Sequence, residues 1–350
     1  MGRLKSAHGP YPTRVAAIES ASDFADAVAQ ACALLRQGEL VALPTETVYG
    51  LAANALNPEA VAKIFEVKGR PAHNPIIVHA ASLDGARACA REWPETAARL
   101  AQNFWPGPLT LVLPRSQMIP DIITGGGPTV GIRWPSHPFM QAVILACGFP
   151  LAAPSANLSN QLSPTNAAHV RKALDGKIRL IVDGGQSQVG IESTVVDLAS
   201  SPPRILRPGM IQEKNLAGFL SEISPSDVQH PNDPPEHLRS PGLLSRHYSP
   251  RARLAVLSWE NNEDLHQQIG ALGFAPGQTH VLAHERFPDG ERLGRVAVIP
   301  YDAEAYARAL YGELHASDDA EAALIVIESP PADPAWQGIF DRITRAARRG

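Results

Sequence analysis

The sequence predicts an α/β protein in which a mixed-sheet domain is followed by a smaller α/β unit. Three observations carry this. Apolar runs of strand length alternate with segments whose apolar residues recur at helical spacing. The chain has 350 residues, more than one core usually organises. Residues 221–250 hold six prolines and no apolar periodicity, the composition of an extended tether. The expected division is therefore a first domain over 15–215, a linker over 216–250 and a C-terminal unit over 251–350.

In the first domain Ser22 opens a helix to about residue 37, with Phe24, Val28, Ala31, Leu34 and Leu35 on one face and Gly38 as the stop. A strand over 40–43 follows. Asn57 and Pro58 then start a helix that turns Val61, Ile64 and Phe65 inward and ends near Gly69. The next strand, 75–79, is expected beside the first. Helical segments from about 82 and over 94–104 lead to the break Trp105-Pro106-Gly107-Pro108 and a strand over 109–113. Further strands are expected at 129–134, 151–153, 179–182, 194–198 and 204–206, with helices at about 137–146 and 165–174. Their spacing is too irregular for a purely parallel sheet. In the second unit, strands over 253–257, 280–283, 295–299 and 323–328 alternate with helices near 264–272 and 303–314. A last helix places Trp336, Ile339, Phe340 and Ile343 on one side.

Composition narrows the function. With 31 basic and 35 acidic side chains the net charge is -4, so nothing draws the whole surface to nucleic acid or an anionic membrane. Aromatics are 6% and form no base-stacking array. The cysteines, Cys32, Cys89 and Cys147, are scattered and without a Cys-x-x-Cys pair, which reads as buried thiols. No apolar run reaches the roughly 18 residues of a membrane span, and none follows Arg3 and Lys5, so a cytoplasmic protein is expected. Met1-Gly2 with Ser6 matches a myristoylation pattern, but no second membrane signal accompanies it and the match reads as chance. There is no P-loop, and Gly125-Gly126-Gly127 lacks dinucleotide-fingerprint spacing.

The most informative cluster is 44–50, where Thr45, Thr47 and Tyr49 follow an apolar run, with Lys68, Arg70 and Asn74-Pro75 shortly after. Hydroxyls at a strand end beside two fixed cations make a mouth suited to anions. Lys68 and Arg70 equally suit the negative C-terminal pole of the helix they end. Ser155-Ala156-Asn157, Ser163-Pro164-Thr165, Glu192-Ser193-Thr194 and Arg207-Pro208-Gly209 each set a small hydroxyl or a cation at a strand end or helix start. Singly they are ordinary turn or cap chemistry. Thr165, before an alanine-rich helix, is an N-cap and also marks a place where phosphate settles. Arg133 lies in an apolar strand, so its guanidinium must face a cleft or a carboxylate. His79 has no companion at metal-ligand spacing. Asp183-Gly184-Gly185 reads as a turn or as a metal carboxylate.

Taken together these motifs, with Trp105-Pro106-Gly107-Pro108-Leu109-Thr110 and the strand 130–133, resemble the YrdC-like threonylcarbamoyl-AMP synthases over about residues 15–215, in that family's order. Arg246-His247-Tyr248-Ser249-Pro250 and the second α/β unit resemble its longer, two-domain form. The resemblance implies a YrdC-like twisted mixed sheet with an open cleft, followed by a smaller Rossmann-like domain. It also implies a nucleotidyltransferase that condenses L-threonine, bicarbonate and ATP into threonylcarbamoyl-AMP and pyrophosphate, the product passing to a separate transferase complex that modifies tRNAs reading ANN codons. By resemblance, Thr45, His79, Arg133 and Ser193 hold threonine. Lys68, Arg70, Asn74, Thr129, Ser155, Ser163, Arg207 and Tyr248 hold ATP, and Mg²⁺ enters with the triphosphate. One departure is His73-Asn74-Pro75, where family members often carry a lysine before the proline. Residues 240–250 are expected to fold back over the first domain as a lid. The alternative is a binding module whose basic cleft grips RNA without chemistry. The related carbamoyl-adenylate chemistry of hydrogenase maturation is excluded by the missing zinc-finger cysteines.

Overall fold

The computed structural model describes residues 12–220, 238–241 and 248–348. The first unit runs β1 (Arg14–Ala17), α1 (Ala21–Arg36), β2 (Val41–Leu43), β3 (Gly50–Asn54), α2 (Pro58–Lys68), β4 (Val78–His79), α3 (Leu83–Cys89), α4 (Glu95–Phe104) and β5 (Leu109–Pro114). It continues with α5 (Asp121–Thr124), β6 (Thr129–Arg133), α6 (Pro138–Cys147), β7 (Leu151–Ala152), α7 (Ala167–Leu174), β8 (Leu180–Asp183), β9 (Thr194–Asp197), β10 (Arg204–Arg207) and α8 (Glu213–Ala217). Its ten strands form one sheet in the order β1-β8-β2-β3-β7-β4-β6-β5-β9-β10, with parallel and antiparallel pairs mixed. Alternate residues of β2 and β3 feed two cores, Ala42, Leu51 and Ala53 on one face and Val41, Leu43 and Ala52 on the other.

Local chemistry explains the boundaries. α2 begins where Asn57 Oδ1 accepts from the N–H groups of Glu59 and Ala60, has proline in its first turn, and stops at Gly69 with φ 60°. α1 is capped two residues before the expected Ser22 because Ser20 and Asp23 form a reciprocal capping box.

The sequence reading needs three corrections. β2 and β4 are not neighbours, since β3 and β7 stand between them. β3 was hidden by its sequence, Gly-Leu-Ala-Ala-Asn, which lacks the β-branched and aromatic residues that mark strands. β1 buries only one of its four residues, too weak an alternation to read.

The second unit runs β11 (Arg253–Leu257), α9 (Asn262–Ala271), β12 (Thr279–Ala283), β13 (Arg295–Val298), α10 (Ala303–Asp319), β14 (Leu324–Glu328) and α11 (Gln337–Ala347). Its sheet is all parallel in the order β11-β14-β12-β13, as a Rossmann-like unit requires. Trp336, Ile339 and Ile343 are buried as expected, but Phe340 is 51% exposed because it points off the buried face of α11.

The two units share a core. Val48, Leu162, Ile191 and Tyr248 pack with Tyr306, Leu310, Ile339 and Ile343. The approach is close enough that a Cβ on Gly338 of α11 would lie 2.9 Å from the carbonyl oxygen of Gly209. The three thiols are buried and free, with the sulfurs of Cys32 and Cys147 3.3 Å apart. No helix of the described residues is long and apolar enough to cross a membrane. Residues 1–6, Arg246 and His247 lie outside the described residues.

Candidate active site

The cleft forms where β2 gives way to the 44–49 loop and where β4 and β6 end side by side, His79 being paired with Arg133. Thr45 bends the loop: its hydroxyl donates to the Val48 carbonyl at 2.6 Å and accepts from the Thr47 and Val48 N–H groups. Tyr49 anchors the loop from below, donating to the Gly185 carbonyl at 2.7 Å and accepting from Gly184 N–H. Asp183 accepts from Gly185 N–H, so 183–185 is a turn.

Thr45, Arg70, His79, Arg133, Ser155, Glu192, Arg207 and Tyr248 line this one cleft, with Pro241 at its edge. Three of these are arginines, and they differ in one respect. Arg133 pairs with Glu46 at 2.7 Å and donates to Thr47 Oγ1 at 2.9 Å and the Gly107 carbonyl at 3.3 Å. Burial alone would raise the Glu46 carboxyl, but Arg133 outweighs it and holds Glu46 below its ordinary value. Arg70, in contrast, donates only to neutral acceptors: the Asn74 carbonyl at 3.0 Å, Asn74 Oδ1 at 2.8 Å and the Pro75 carbonyl. Arg207 likewise meets the Ser193 carbonyl at 3.0 Å, Ser193 Oγ at 3.1 Å and the Pro241 carbonyl at 3.3 Å. Neither forms an ion pair among the described residues, and burial lowers both. Two desolvated guanidiniums without a paired carboxylate in one cleft wall make a site for an added anion. His79 adds no charge. Burial, reinforced by Arg133, lowers it to about 3, and its Nδ1 has no partner among the described residues.

Other predicted residues stand behind the wall. The Lys68 ammonium is buried and donates to the Ser155 carbonyl at 2.6 Å, the Asn157 carbonyl at 2.5 Å and Asn157 Oδ1 at 3.2 Å. It props the 155–157 loop and does not line the cleft; nor does its side chain cap its own helix. Asn74 is fully buried beneath Arg70. Ser193 sits between Thr110 Oγ1, at 2.8 Å, and Arg207. Ser163 donates a short hydrogen bond to Glu192 Oε1. Thr129 is at the far end of β6 from Arg133. Tyr248 is buried with φ 61°, a left-handed conformation that a non-glycine residue adopts only when its surroundings hold it there.

Glu46 and Glu192 stand inside motifs the sequence marks but receive no role there, and three residues of the second unit are not marked at all. Arg342 donates Nε to Glu192 Oε2 at 2.7 Å, Tyr311 donates to the same oxygen at 3.2 Å, and His315 Nε2 lies 3.1 Å from the Ser163 carbonyl. The available signal was an arginine at position 342, three residues beyond Ile339 and so on the apolar face of α11.

Sequence profiles agree with this architecture. The profile described as "Telomere recombination" matches residues 33–209, and the one described as "Threonylcarbamoyl-AMP synthase, C-terminal domain" matches 210–348. Threonylcarbamoyl-AMP synthases of Pyrococcus abyssi and Bacillus subtilis are 38% and 42% identical to the chain, covering 91% of it in both cases and 93% and 92% of their own lengths. The chain belongs to the threonylcarbamoyl-AMP synthase family. The crystal structure of P. abyssi Sua5 complexed with L-threonine has the same fold, with a TM-score of 0.86, 36% identity, and coverage of 96% of this chain and 98% of that one. The cleft is thus lined mainly by the first matched region, with Pro241 and Tyr248 from the second.

Proposed function

We propose that this synthase forms threonylcarbamoyl-AMP from L-threonine, bicarbonate and ATP, releasing pyrophosphate, in the cleft between Arg133 and Arg207. Its family makes it an enzyme of threonylcarbamoyl-AMP synthesis. The observation that carries the siting is the contrast among the arginines: Arg70 and Arg207 are buried charges with no carboxylate in ion-pair contact, Glu192 acting on Arg207 only at longer range, whereas Arg133 is already paired with Glu46. A triphosphate suits the first pair. Threonine, a zwitterion at neutral pH, suits the second environment, with Arg133 taking its carboxylate and Thr45, Ser193 and the uncharged His79 around the rest.

In the reaction the threonine amine, once its ammonium has lost a proton to solvent, attacks the bicarbonate carbon and water leaves to give a carbamate, whose oxygen then attacks the α-phosphorus while pyrophosphate leaves. Two anions must meet, so fixed cations and correct placement supply most of the rate. Arg70, Arg207, Ser155 and Tyr248 face the ATP side. Lys68, Asn74 and Ser163 act from behind by fixing the loops that carry those groups. Mg²⁺ accompanies ATP; Glu46 and Glu192 are both held by arginines, so phosphate and water are its expected ligands.

The product is an activated mixed anhydride, which a separate tRNA-modifying transferase would consume. Free buried thiols suit a reducing compartment, and we place the protein in the cytoplasm. Incubation with Mg²⁺-ATP, threonine and labelled bicarbonate tests the reading. Threonine-dependent labelled adenylate with matching pyrophosphate is expected, and pyrophosphate release without threonine and without labelled product would overturn it. A tRNA mobility shift at low and moderate salt, run alongside, tests the RNA-gripping alternative.

A further inference from the structure

Glu192 belongs to the first unit, yet most of what satisfies it comes from the second. Arg342, 1% exposed, grips both its carboxylate at 2.7 Å and its backbone carbonyl at 3.1 Å, and donates to the Pro208 carbonyl at 2.9 Å. One side chain of α11 therefore holds the two segments that flank the Arg207–Ser193 contact. The close packing of Gly338 on Gly209 lets α11 come near enough to do so.

A buried carboxylate needs a countercharge, and two guanidiniums are near Glu192. Arg207 faces the cleft. Arg342 does not line it. With Arg342 on Glu192, Arg207 donates to neutral acceptors and makes no ion pair with Glu192, which acts on it only at longer range, so most of its charge stays open to an incoming anion. Were Arg342 neutral, Arg207 would be the nearest cation left, and its charge would be drawn inward.

We propose that Arg342 is a positioning residue for the synthase reaction: by pairing with Glu192 it keeps Arg207 available to the phosphates of ATP, which makes the C-terminal unit a working part of the ATP site. This rests on the reading that the cleft takes ATP.

The test compares the full-length wild type with Arg342→Gln, Arg342→Lys, Glu192→Gln and the Glu192→Gln/Arg342→Gln double variant. Calorimetric binding of Mg²⁺-ATP is measured, together with the KM for each of ATP and threonine. Arg342→Gln should weaken ATP binding about tenfold or more, the scale of one displaced charge, while the threonine KM stays within about twofold. The double variant should bind ATP as Glu192→Gln does, because no carboxylate is left to draw Arg207 away. Equal rises in both KM values, or a double variant that loses the two single effects in full, overturns the proposal. If Arg342→Gln does not fold, the double variant leaves neither member of the Glu192–Arg342 pair as a lone charge and decides against Glu192→Gln alone. Arg342→Lys, which keeps the charge, should recover most of the affinity, and no recovery counts against the proposal. A wild type that binds no ATP removes the functional reading instead, and one that binds ATP regardless of position 342 removes only this inference.

Discussion

Replacing Glu46 with glutamine changes one charge at nearly constant shape, and its effect can be worked from the structure. The Glu46 and Arg133 side chains are 8% and 5% exposed and meet at 2.7 Å. At an effective dielectric near 20 the gross attraction at that distance is about 6 kcal/mol, much of which offsets the cost of removing both ions from water. Taking away one partner of such a pair typically costs about 3–5 kcal/mol, because the other charge is left buried and unpaired. Here the loss should fall near the lower bound. Arg133 keeps Thr47 and Gly107 as acceptors, and the new amide oxygen can still accept from Ser136 N–H. A loss of about 3 kcal/mol corresponds to a fall in Tm of about 6–12 °C for domains of this size. The freed guanidinium should also hold a carboxylate more strongly, so saturating threonine should raise the Tm of Glu46→Gln by more than it raises that of the wild type. Calorimetric melts with and without threonine read both effects. A Tm within about 2 °C of wild type, or a smaller threonine shift in the variant, would refute the account of this pair.

Three further outcomes follow from the packing and charge. Burial lowers His79 to about 3 and His315 to about 4, so below the ordinary value near 6.5 the unfolded chain takes up protons that the folded one refuses. Stability should therefore be full above pH 6.5 and fall towards pH 4 by up to about 1.4 kcal/mol per pH unit for each histidine, and a Tm unchanged between pH 7.5 and 5 would contradict this. Lys68→Met removes the donors that serve the Ser155 and Asn157 carbonyls, so it should cost about 2–4 kcal/mol and raise the ATP KM more than the threonine KM; steady-state kinetics with a denaturation curve checks both. Gly338→Ala drives a methyl group against the Gly209 backbone and should cost about 1–3 kcal/mol with weaker ATP binding, whereas wild-type melts and kinetics would show that α11 does not press on that loop.

Much of the fold and of the cleft is legible in the sequence. Helix α2 announced itself through Asn57, Pro58 and Gly69, because caps and stops are local chemistry. The hydroxyl and cation motifs, each ordinary turn or cap chemistry when taken singly, mark the cleft only as a set. What stayed hidden depends on residues far apart in sequence. Strand β3 has no β-branched or aromatic residue, and its strand state is fixed by its neighbours β2 and β7. Lys68 looked like a phosphate ligand, and only the fold brings the 155–157 carbonyls to it. The Arg342–Glu192 pair joins residues 150 positions apart in different units. An arginine on an apolar helix face pointed to a buried partner, but nothing local could say which carboxylate it met.

The central claim is that one cleft holds the two reactants on different arginines, Arg207 for ATP and Arg133 for threonine. The most direct measurement is the KM for each substrate in Arg207→Gln and in Arg133→Gln, followed by threonine-dependent incorporation of labelled bicarbonate. Arg207→Gln should raise the ATP KM by about tenfold or more with little change for threonine, and Arg133→Gln should do the reverse. The same pattern in both variants, or an Arg207→Gln enzyme that uses ATP as the wild type does, would contradict the account.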